Sequence, residues 1–211
     1  MSENSLIKDG QKIVFLGDSI TAAPDGYVKV VGDLMAAVAP ETRVTCINAG
    51  IGGNKVPDLP ARIDTDAIAH DPDWITISIG VNDVWHGLNG TTIDRFRELY
   101  DELVVTLQKR TVAQLALFTT TVIGEDLECE ANQKLVEYND FIRETAAKRN
   151  ALLVPMNEEF HHAISAWKRF GDGTDLRFTT DGVHMKPPGN YLMAVTLLRA
   201  WKVLEMGDIY T

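Results

Sequence analysis

The chain has 211 residues, which is enough for one domain with a sizeable hydrophobic core and short for two. Hydrophobic residues make up 45% and charged residues 24%, as is typical of globular proteins. The formal net charge of -10 argues against nucleic acid and against an anionic membrane surface as partners, because both attract clustered Lys and Arg. We therefore expect a single domain over residues 1–211.

The N-terminus and the cysteines indicate a cytoplasmic protein. Residues 1–11 are polar and lack the apolar segment of a signal peptide. Every apolar stretch is far shorter than the ~20 residues of a membrane-spanning helix. Cys46 and Cys129 are predicted to be free thiols in a reducing compartment, since small secreted scaffolds usually carry more cysteines. The sequence does not predict an oligomeric state.

Five short apolar runs predict β-strands. Each run is apolar at successive positions, which is typical of a strand buried on both faces of a parallel sheet. The predicted strands cover residues 12–16, 43–47, 74–79, 112–118 and 151–154.

Between these runs, apolar residues recur at helical spacing and predict helices that pack against the sheet. The four stripes are Val30, Leu34, Met35 and Val38; Ile93, Phe96, Tyr100, Leu103 and Leu107; Leu135, Tyr138, Ile142 and Ala146; and Tyr191, Ala194, Val195, Leu198 and Trp201. Strands that alternate with helices predict an α/β fold with helices on both faces of a parallel sheet, a three-layer α/β/α sandwich. Ligands of such sheets bind beyond the carboxyl ends of the strands.

Four polar or Gly-rich segments stand at the places where a ligand is expected. Three of them directly follow predicted strands, and the fourth lies late in the chain. They are Gly17-Asp18-Ser19-Ile20-Thr21, residues 48–54, Gly80-Val81-Asn82-Asp83, and Asp181-Gly182-Val183-His184.

Ser19, His184 and Asp181 are candidates for nucleophilic catalysis. A nucleophilic serine needs a base to remove its proton, and the base needs an acceptor that orients it. Asp181 and His184 are three residues apart, so on one turn their side chains are within reach of each other. Taken singly, each signal also fits a plainer reading, in which Asp18-Ser19 is a helix N-cap, Asp181-Gly182 a turn and His184 a surface residue.

An oxyanion hole can be assembled from the other segments. Such a hole needs hydrogen-bond donors aimed at the place where negative charge develops. Gly53 can offer a backbone N–H, Asn82 its side-chain amide, and Ser19 its own backbone N–H. The alternative is that residues 50–53 form a simple Gly-rich turn and that Asn82 caps a helix.

Together the four segments resemble the GDSL, or SGNH, hydrolase family in their order along the chain and in their positions at strand ends. The resemblance spans residues 17–184 and implies a flavodoxin-like fold and hydrolysis of esters or thioesters. It implies that Ser19 is the nucleophile, His184 the base and Asp181 its partner. Gly53 and Asn82 would complete the oxyanion hole, with Gly53 selected by its spacing from Asn48. No cofactor or metal is expected.

Substrate choice is predicted to depend on three loops, over residues 84–90, 119–132 and 171–180. Asp18, Asp83 and Trp85 are predicted to contact the substrate. Trp85 could stack on a sugar ring or simply close the core. The predicted partner is a small-molecule ester, with an acetyl ester of a carbohydrate preferred over a lysophospholipid or a thioester.

Three other functions remain open at this stage. Asp18, Asp83, Asp181 and His184 could gather around a divalent ion in a metal-dependent phosphoesterase. The same fold could serve as a non-catalytic binding domain. The same residues could also transfer an acyl group to an alcohol instead of to water.

Overall fold

A five-stranded parallel sheet lies at the centre of the computed structural model, which describes residues 5–170 and 175–204. The spatial order of the strands is β2-β1-β3-β4-β5, the order of flavodoxin-like folds. All four pairings are parallel, so the carboxyl ends of the strands meet at one edge. The strands are β1 (Lys12–Gly17), β2 (Thr45–Gly50), β3 (Trp74–Ser78), β4 (Gln114–Phe118) and β5 (Leu152–Val154).

Helices cover both faces of the sheet, as the alternation in the sequence predicts. The α-helices of the described residues are α1 (Ser19–Ala22), α2 (Tyr27–Val38), α3 (Ile63–Asp66), α4 (Val81–Trp85), α5 (Ile93–Arg110), α6 (Glu130–Arg149), α7 (Met156–Phe170) and α8 (Pro187–Ala200). Side chains of β1 alternate between two cores: Phe15 packs with α2, α7 and α8, whereas Leu16 packs with α5 and α6. The predicted three-layer α/β/α fold is therefore confirmed.

The second strand differs from its prediction in position and in environment. It starts at Thr45, two residues later than predicted, and continues through Asn48 to Gly50. The prediction that it is buried on both faces is wrong, because β2 lies at the edge of the sheet and most of its residues are partly or fully exposed. Asn48 is consequently part of the strand and does not follow it.

Two of the predicted apolar stripes are displaced around their helices. The prediction that Val38 of α2 and Tyr191 of α8 lie in the core is wrong, because these residues are 45% and 51% exposed. The core face of α2 instead carries Tyr27, Val28 and Val31, together with the predicted Met35. The stripes of α5 and α6 are buried as predicted apart from the partly exposed Ile93 at the start of α5. None of the helices in the described part of the chain is long and apolar enough to cross a membrane.

Candidate active site

The segment Gly17-Asp18-Ser19 turns sharply from β1 into α1. Gly17 is required at this turn, because a Cβ there would lie 2.8 Å from the carbonyl oxygen of Ser78 and would collide with the Thr21 hydroxyl. The carboxylate of Asp18 caps α1 by accepting the N–H of Ile20 at 2.9 Å. Ser19 is thereby the first residue of α1, partly exposed at the carboxyl edge of the sheet.

Asp181 and His184 lie on a turn just before α8, directly opposite Ser19. Nε2 of His184 is 2.9 Å from Oγ of Ser19, and Nδ1 is 2.6 Å from Oδ2 of Asp181. Oδ1 of Asp181 accepts the backbone N–H groups of Val183 and His184 at 3.0 and 2.9 Å. The structure therefore brings all three predicted side chains into one continuous chain of hydrogen bonds.

The ionisation of Asp181 fixes the tautomer of His184. Partial burial tends to raise the pKa of Asp181, but hydrogen bonds from the His184 ring and from the backbone N–H groups of His184 and Val183 lower it to about 2. An ionised carboxylate only accepts hydrogen bonds, so Nδ1 of His184 carries the proton. The lone pair of Nε2 then faces the hydroxyl of Ser19.

The loop after β2 and the start of α4 are joined beside Ser19. The backbone of Gly53 has φ +77°, in the left-handed region that favours glycine. Asn82 is 1% exposed, and its Nδ2 donates to the carbonyl oxygen of Asn54 at 3.0 Å. One amide N–H of Asn82 remains available, since Nδ2 carries two. This bond brings Asn82 to the residue that follows Gly53. That Gly53 and Asn82 form an oxyanion hole stays a prediction.

Asp18 and Asp83 are buried, with only 1% and 2% of their surfaces exposed. Asp83 accepts the backbone N–H of Val56 at 3.2 Å, so it connects α4 to the loop after β2. Both carboxylates therefore serve the local fold. That they contact substrate stays a prediction.

Burial also changes the acidity of these two groups. Burial, with a smaller contribution from the charge of Asp83, raises the pKa of Asp18 to about 7 against the opposing hydrogen bond from Ile20. Burial raises the pKa of Asp83 to about 6, against the opposing hydrogen bonds from Thr91 and Val56. The site thus contains two carboxyl groups that hold protons more strongly than they do in water.

We expect the stability that Asp18 contributes to fall as pH rises from about 4 to about 7. In that range the unfolded carboxyl has lost its proton while the folded one retains it, so deprotonation favours unfolding. Asp18→Asn keeps an acceptor for the N–H of Ile20 and does not titrate. The free energy of unfolding of Asp18→Asn, compared with that of wild type, should therefore be higher at pH 8 than at pH 4. The increase should be about 1.4 kcal/mol for each unit by which the pKa of Asp18 in the folded protein exceeds that in the unfolded chain.

Urea unfolding of wild type and Asp18→Asn at both pH values measures this effect. Asp25→Asn, which changes an exposed carboxyl in the same part of the chain, is the matched control. If the stability gained by Asp18→Asn were the same at pH 4 and pH 8, the pKa of the buried Asp18 carboxyl would not be raised.

Arg62 connects three segments of the site, and no motif in the sequence marked it. Its guanidinium donates to the carbonyl oxygens of Gly17 and Ala49 at 2.8 and 2.7 Å, and to Oδ1 of Asn54 at 2.8 Å. Its side chain is only 11% exposed and is paired with Asp66 at 2.9 Å. The planar fork of Arg suits this role, because it presents several donors in fixed directions.

Trp85 lies on the rim of the site. It is 42% exposed, which excludes the alternative that it closes the core. Its ring meets the ring of His184 edge to face, with the centroids 5.9 Å apart.

Of the three predicted substrate loops, residues 84–90 are largely helical turns, residues 119–132 run into α6, and residues 171–174 of the third lie outside the described residues.

The metal alternative requires acidic and His side chains that converge on a common point. Within residues 5–170 and 175–204, no group of three or more His, Cys, Asp or Glu side chains is arranged to hold a metal ion. Asp181 and His184 are instead bound to each other, and His184 faces Ser19. The described geometry therefore favours a serine-centred site.

A serine, a histidine and an aspartate in one hydrogen-bonded chain, at the carboxyl edge of a parallel sheet, are the arrangement used by serine hydrolases. The sequence profile of the GDSL-like lipase/acylhydrolase family matches residues 15–192. The chain belongs to this family and is a carboxylic ester hydrolase.

Three proteins similar to this chain are described as esterases or hydrolases. An acetylxylan esterase of Geobacillus stearothermophilus is 30% identical over a region that covers 92% of this chain and 94% of that protein. The crystal structure of Axe2, an acetylxylan esterase from Geobacillus stearothermophilus, matches with a TM-score of 0.82 and 27% identity, covering 95% of this chain and 99% of that one. LAE5, an α/β hydrolase enzyme from the metagenome of Lake Arreo in Spain, matches with a TM-score of 0.85, 26% identity and the same coverage.

Proposed function

We propose that this protein is a serine esterase that hydrolyses acetyl and other short-chain esters by way of an acyl-enzyme at Ser19. The observation that carries the proposal is the unbroken chain from Oγ of Ser19 to Nε2 of His184 and from Nδ1 of His184 to Oδ2 of Asp181. Each of the three groups has the partner that its role in the reaction needs.

The first half of the reaction acylates the enzyme. Oγ of Ser19 attacks the carbonyl carbon of the ester while its proton passes to Nε2 of His184. In the tetrahedral intermediate the imidazolium is stabilised by the ionised Asp181. The bond from carbon to the alcohol oxygen then breaks, and the proton on Nε2 passes to that oxygen. The alcohol leaves, and the acyl group remains on Ser19.

The second half repeats these steps with water. His184 removes a proton from a water molecule as its oxygen attacks the acyl-enzyme carbonyl. Collapse of the second tetrahedral intermediate breaks the bond to Oγ of Ser19, which recovers its proton from His184. The free acid leaves, and the enzyme returns to its starting state.

Three donors are proposed to hold the negatively charged oxygen in both intermediates: the backbone N–H groups of Ser19 and Gly53 and the side-chain amide of Asn82. Two observations support this assignment. The bond from Asn82 to Asn54 ties α4 to the residue after Gly53, and the carboxylate of Asp83 ties α4 to Val56 in the same loop. Donors fixed in advance in this way need little reorganisation when charge develops.

An acetylated carbohydrate is the proposed substrate class. The acetylxylan esterases similar to this chain are named for such a substrate. The half-exposed ring of Trp85 beside His184 offers an apolar face of the kind on which sugar rings stack. Together these observations favour an acetyl group on Ser19 and a sugar hydroxyl as the leaving group.

Labelling with a fluorophosphonate probe tests the proposal directly. We expect a covalent adduct at Ser19, mapped by mass spectrometry, that is absent in Ser19→Ala. In parallel, release of acetate from an acetylated xylo-oligosaccharide should exceed release of long acids from matched esters. Failure of the folded wild type to react with the probe would overturn the esterase assignment. Faster turnover of thioesters, or a strong rate increase with added alcohol, would redirect it to a thioesterase or an acyltransferase.

We expect Asn82→Ala to lower kcat by about 100- to 1000-fold, because one of three oxyanion donors is lost. The change in KM should be small, since the donor acts mainly on the charged intermediate. Steady-state hydrolysis of an aryl acetate measures both constants, and thermal unfolding verifies that the variant is folded. Asn89→Ala removes an exposed amide from the neighbouring 3-10 turn and serves as the control. Near-full activity of Asn82→Ala would exclude Asn82 from the oxyanion hole.

A further inference from the structure

A buried carboxylate in the loop after β4 makes contacts that the ester-hydrolysis mechanism does not require. Glu125 is only 6% exposed, although ionisable side chains are rarely buried without partners. Its Oε1 accepts the backbone N–H groups of Phe178 and Thr179 at 2.8 and 2.9 Å and the hydroxyl of Thr179 at 2.9 Å. Its Oε2 accepts the backbone N–H of Arg177 at 2.9 Å. One side chain thus binds three consecutive residues of another loop.

These three residues lead directly into the turn that carries Asp181 and His184. Thr179 pairs with Met185 in an isolated antiparallel bridge, and the backbone N–H of Thr180 donates to the carbonyl oxygen of His184 at 2.8 Å. The turn is therefore closed like a small hairpin, and Glu125 binds residues 177–179 of its first arm. A displacement of that arm would move His184 as well.

The residue before Glu125 binds the turn at a second point. The backbone N–H of Gly124 donates to the carbonyl oxygen of Gly182 at 2.7 Å. The contact is close, since a Cβ on Gly182 would lie only 3.1 Å from the nitrogen of Gly124. Residues 124 and 125 together hold the hairpin from the side of β4.

Apart from the edge-to-face contact with Trp85, the imidazole and its carboxylate partner are open to solvent. The side chain of His184 is 41% exposed and that of Asp181 is 47% exposed. The 2.9 Å separation between Nε2 of His184 and Oγ of Ser19 is therefore set largely by where the backbone of the hairpin lies. Because Asp181 and His184 are exposed, the position of their backbone depends on a buried group elsewhere, and Glu125 is such a group.

We propose that Glu125 is a positioning residue of the esterase, whose carboxylate fixes residues 177–179 and so holds His184 within hydrogen-bonding distance of Ser19. The inference rests on the proposed roles of Ser19 and His184, and Glu125 itself does not touch the substrate. It gives a role to one residue of the loop over residues 119–132, for which the sequence predicts a part in substrate choice.

Two substitutions of Glu125 remove its hydrogen bonds in part or completely. Glu125→Gln keeps Oε1 with its three donors, but it places an amide N–H₂ where Oε2 accepts the N–H of Arg177. Glu125→Ala removes all four bonds. We expect kcat to fall by about 10-fold in the first and about 100-fold in the second with little change in KM, since small misplacements of a catalytic group cost on this scale. Glu144→Gln, which changes an exposed glutamate on α6 outside the three predicted substrate loops, is the control and should leave kcat unchanged.

Repeating both substitutions in a His184→Ala background separates positioning from a general structural effect. If Glu125 acts through His184, neither substitution should lower the residual rate on an activated aryl acetate further. The rate at which a fluorophosphonate labels Ser19 should fall in parallel with kcat in the Glu125 variants that retain His184.

The results distinguish this inference from the proposed function. Unchanged kcat in Glu125→Gln and Glu125→Ala would overturn the positioning role while leaving the esterase intact, and so would equal losses with and without His184. If Glu125→Ala does not fold, Glu125→Gln alone decides the question by the same two measurements. Full activity of Ser19→Ala or His184→Ala would instead overturn the proposed function itself.

Discussion

His184→Ala is expected to lower kcat for ester hydrolysis by about a millionfold, close to the loss from removing the whole Ser-His-Asp set. Without the imidazole nothing accepts the proton of Ser19, and the leaving alcohol receives none. Binding and the oxyanion donors would still act, so a rate roughly 1000-fold or more above that in water should remain. The reaction of Ser19 with a fluorophosphonate should slow by a comparable factor.

Steady-state and single-turnover kinetics on an aryl acetate measure the effect of this substitution. His162→Ala is the matched control. It removes an exposed imidazole on α7 that belongs to none of the four motif segments. Comparable activity of His184→Ala and His162→Ala would mean that another group is the base.

Asp181→Asn is expected to lower kcat by about 10,000-fold, less than the loss of His184 or Ser19. The amide oxygen can still accept the backbone N–H groups of Val183 and His184, so the turn should survive. The amide N–H₂ that replaces Oδ2, however, faces Nδ1 and favours the tautomer with the proton on Nε2. That tautomer cannot accept the proton of Ser19.

The dependence of kcat on pH in wild type also reports on the Asp181 carboxylate. Because the pKa of Asp181 is about 2, the group stays ionised throughout the range in which the enzyme is assayed, so its protonation should not lower kcat there. Asp175→Asn, which changes an exposed carboxylate early in the same loop, is the control for Asp181→Asn. A loss in Asp181→Asn as complete as that in Ser19→Ala would give Asp181 a larger part than orientation.

The sequence by itself determined the fold class and the candidate residues. Strands buried inside a parallel sheet are apolar at successive positions, and this local pattern is visible without knowing any partner strand. Asp181 and His184 are three residues apart, so their pairing too is a local property. The position of Ser19 follows from the end of β1, because the carboxyl edge of such a sheet is where ligands bind.

Only the tertiary structure decided which distant groups meet. Ser19 and His184 are 165 residues apart, and the distance between them in space cannot be read from the sequence. The edge position of β2, the outward ring of Trp85 and the burial of Asp18 and Asp83 depend on what packs beside each element. Arg62 and Glu125 belong to no motif. Glu125 binds mainly backbone groups of a remote segment, and two of the four hydrogen bonds that Arg62 donates go to the backbone carbonyl oxygens of Gly17 and Ala49. Backbone groups are the same at every residue, so such partners are selected by the folded geometry and leave no pattern in the sequence.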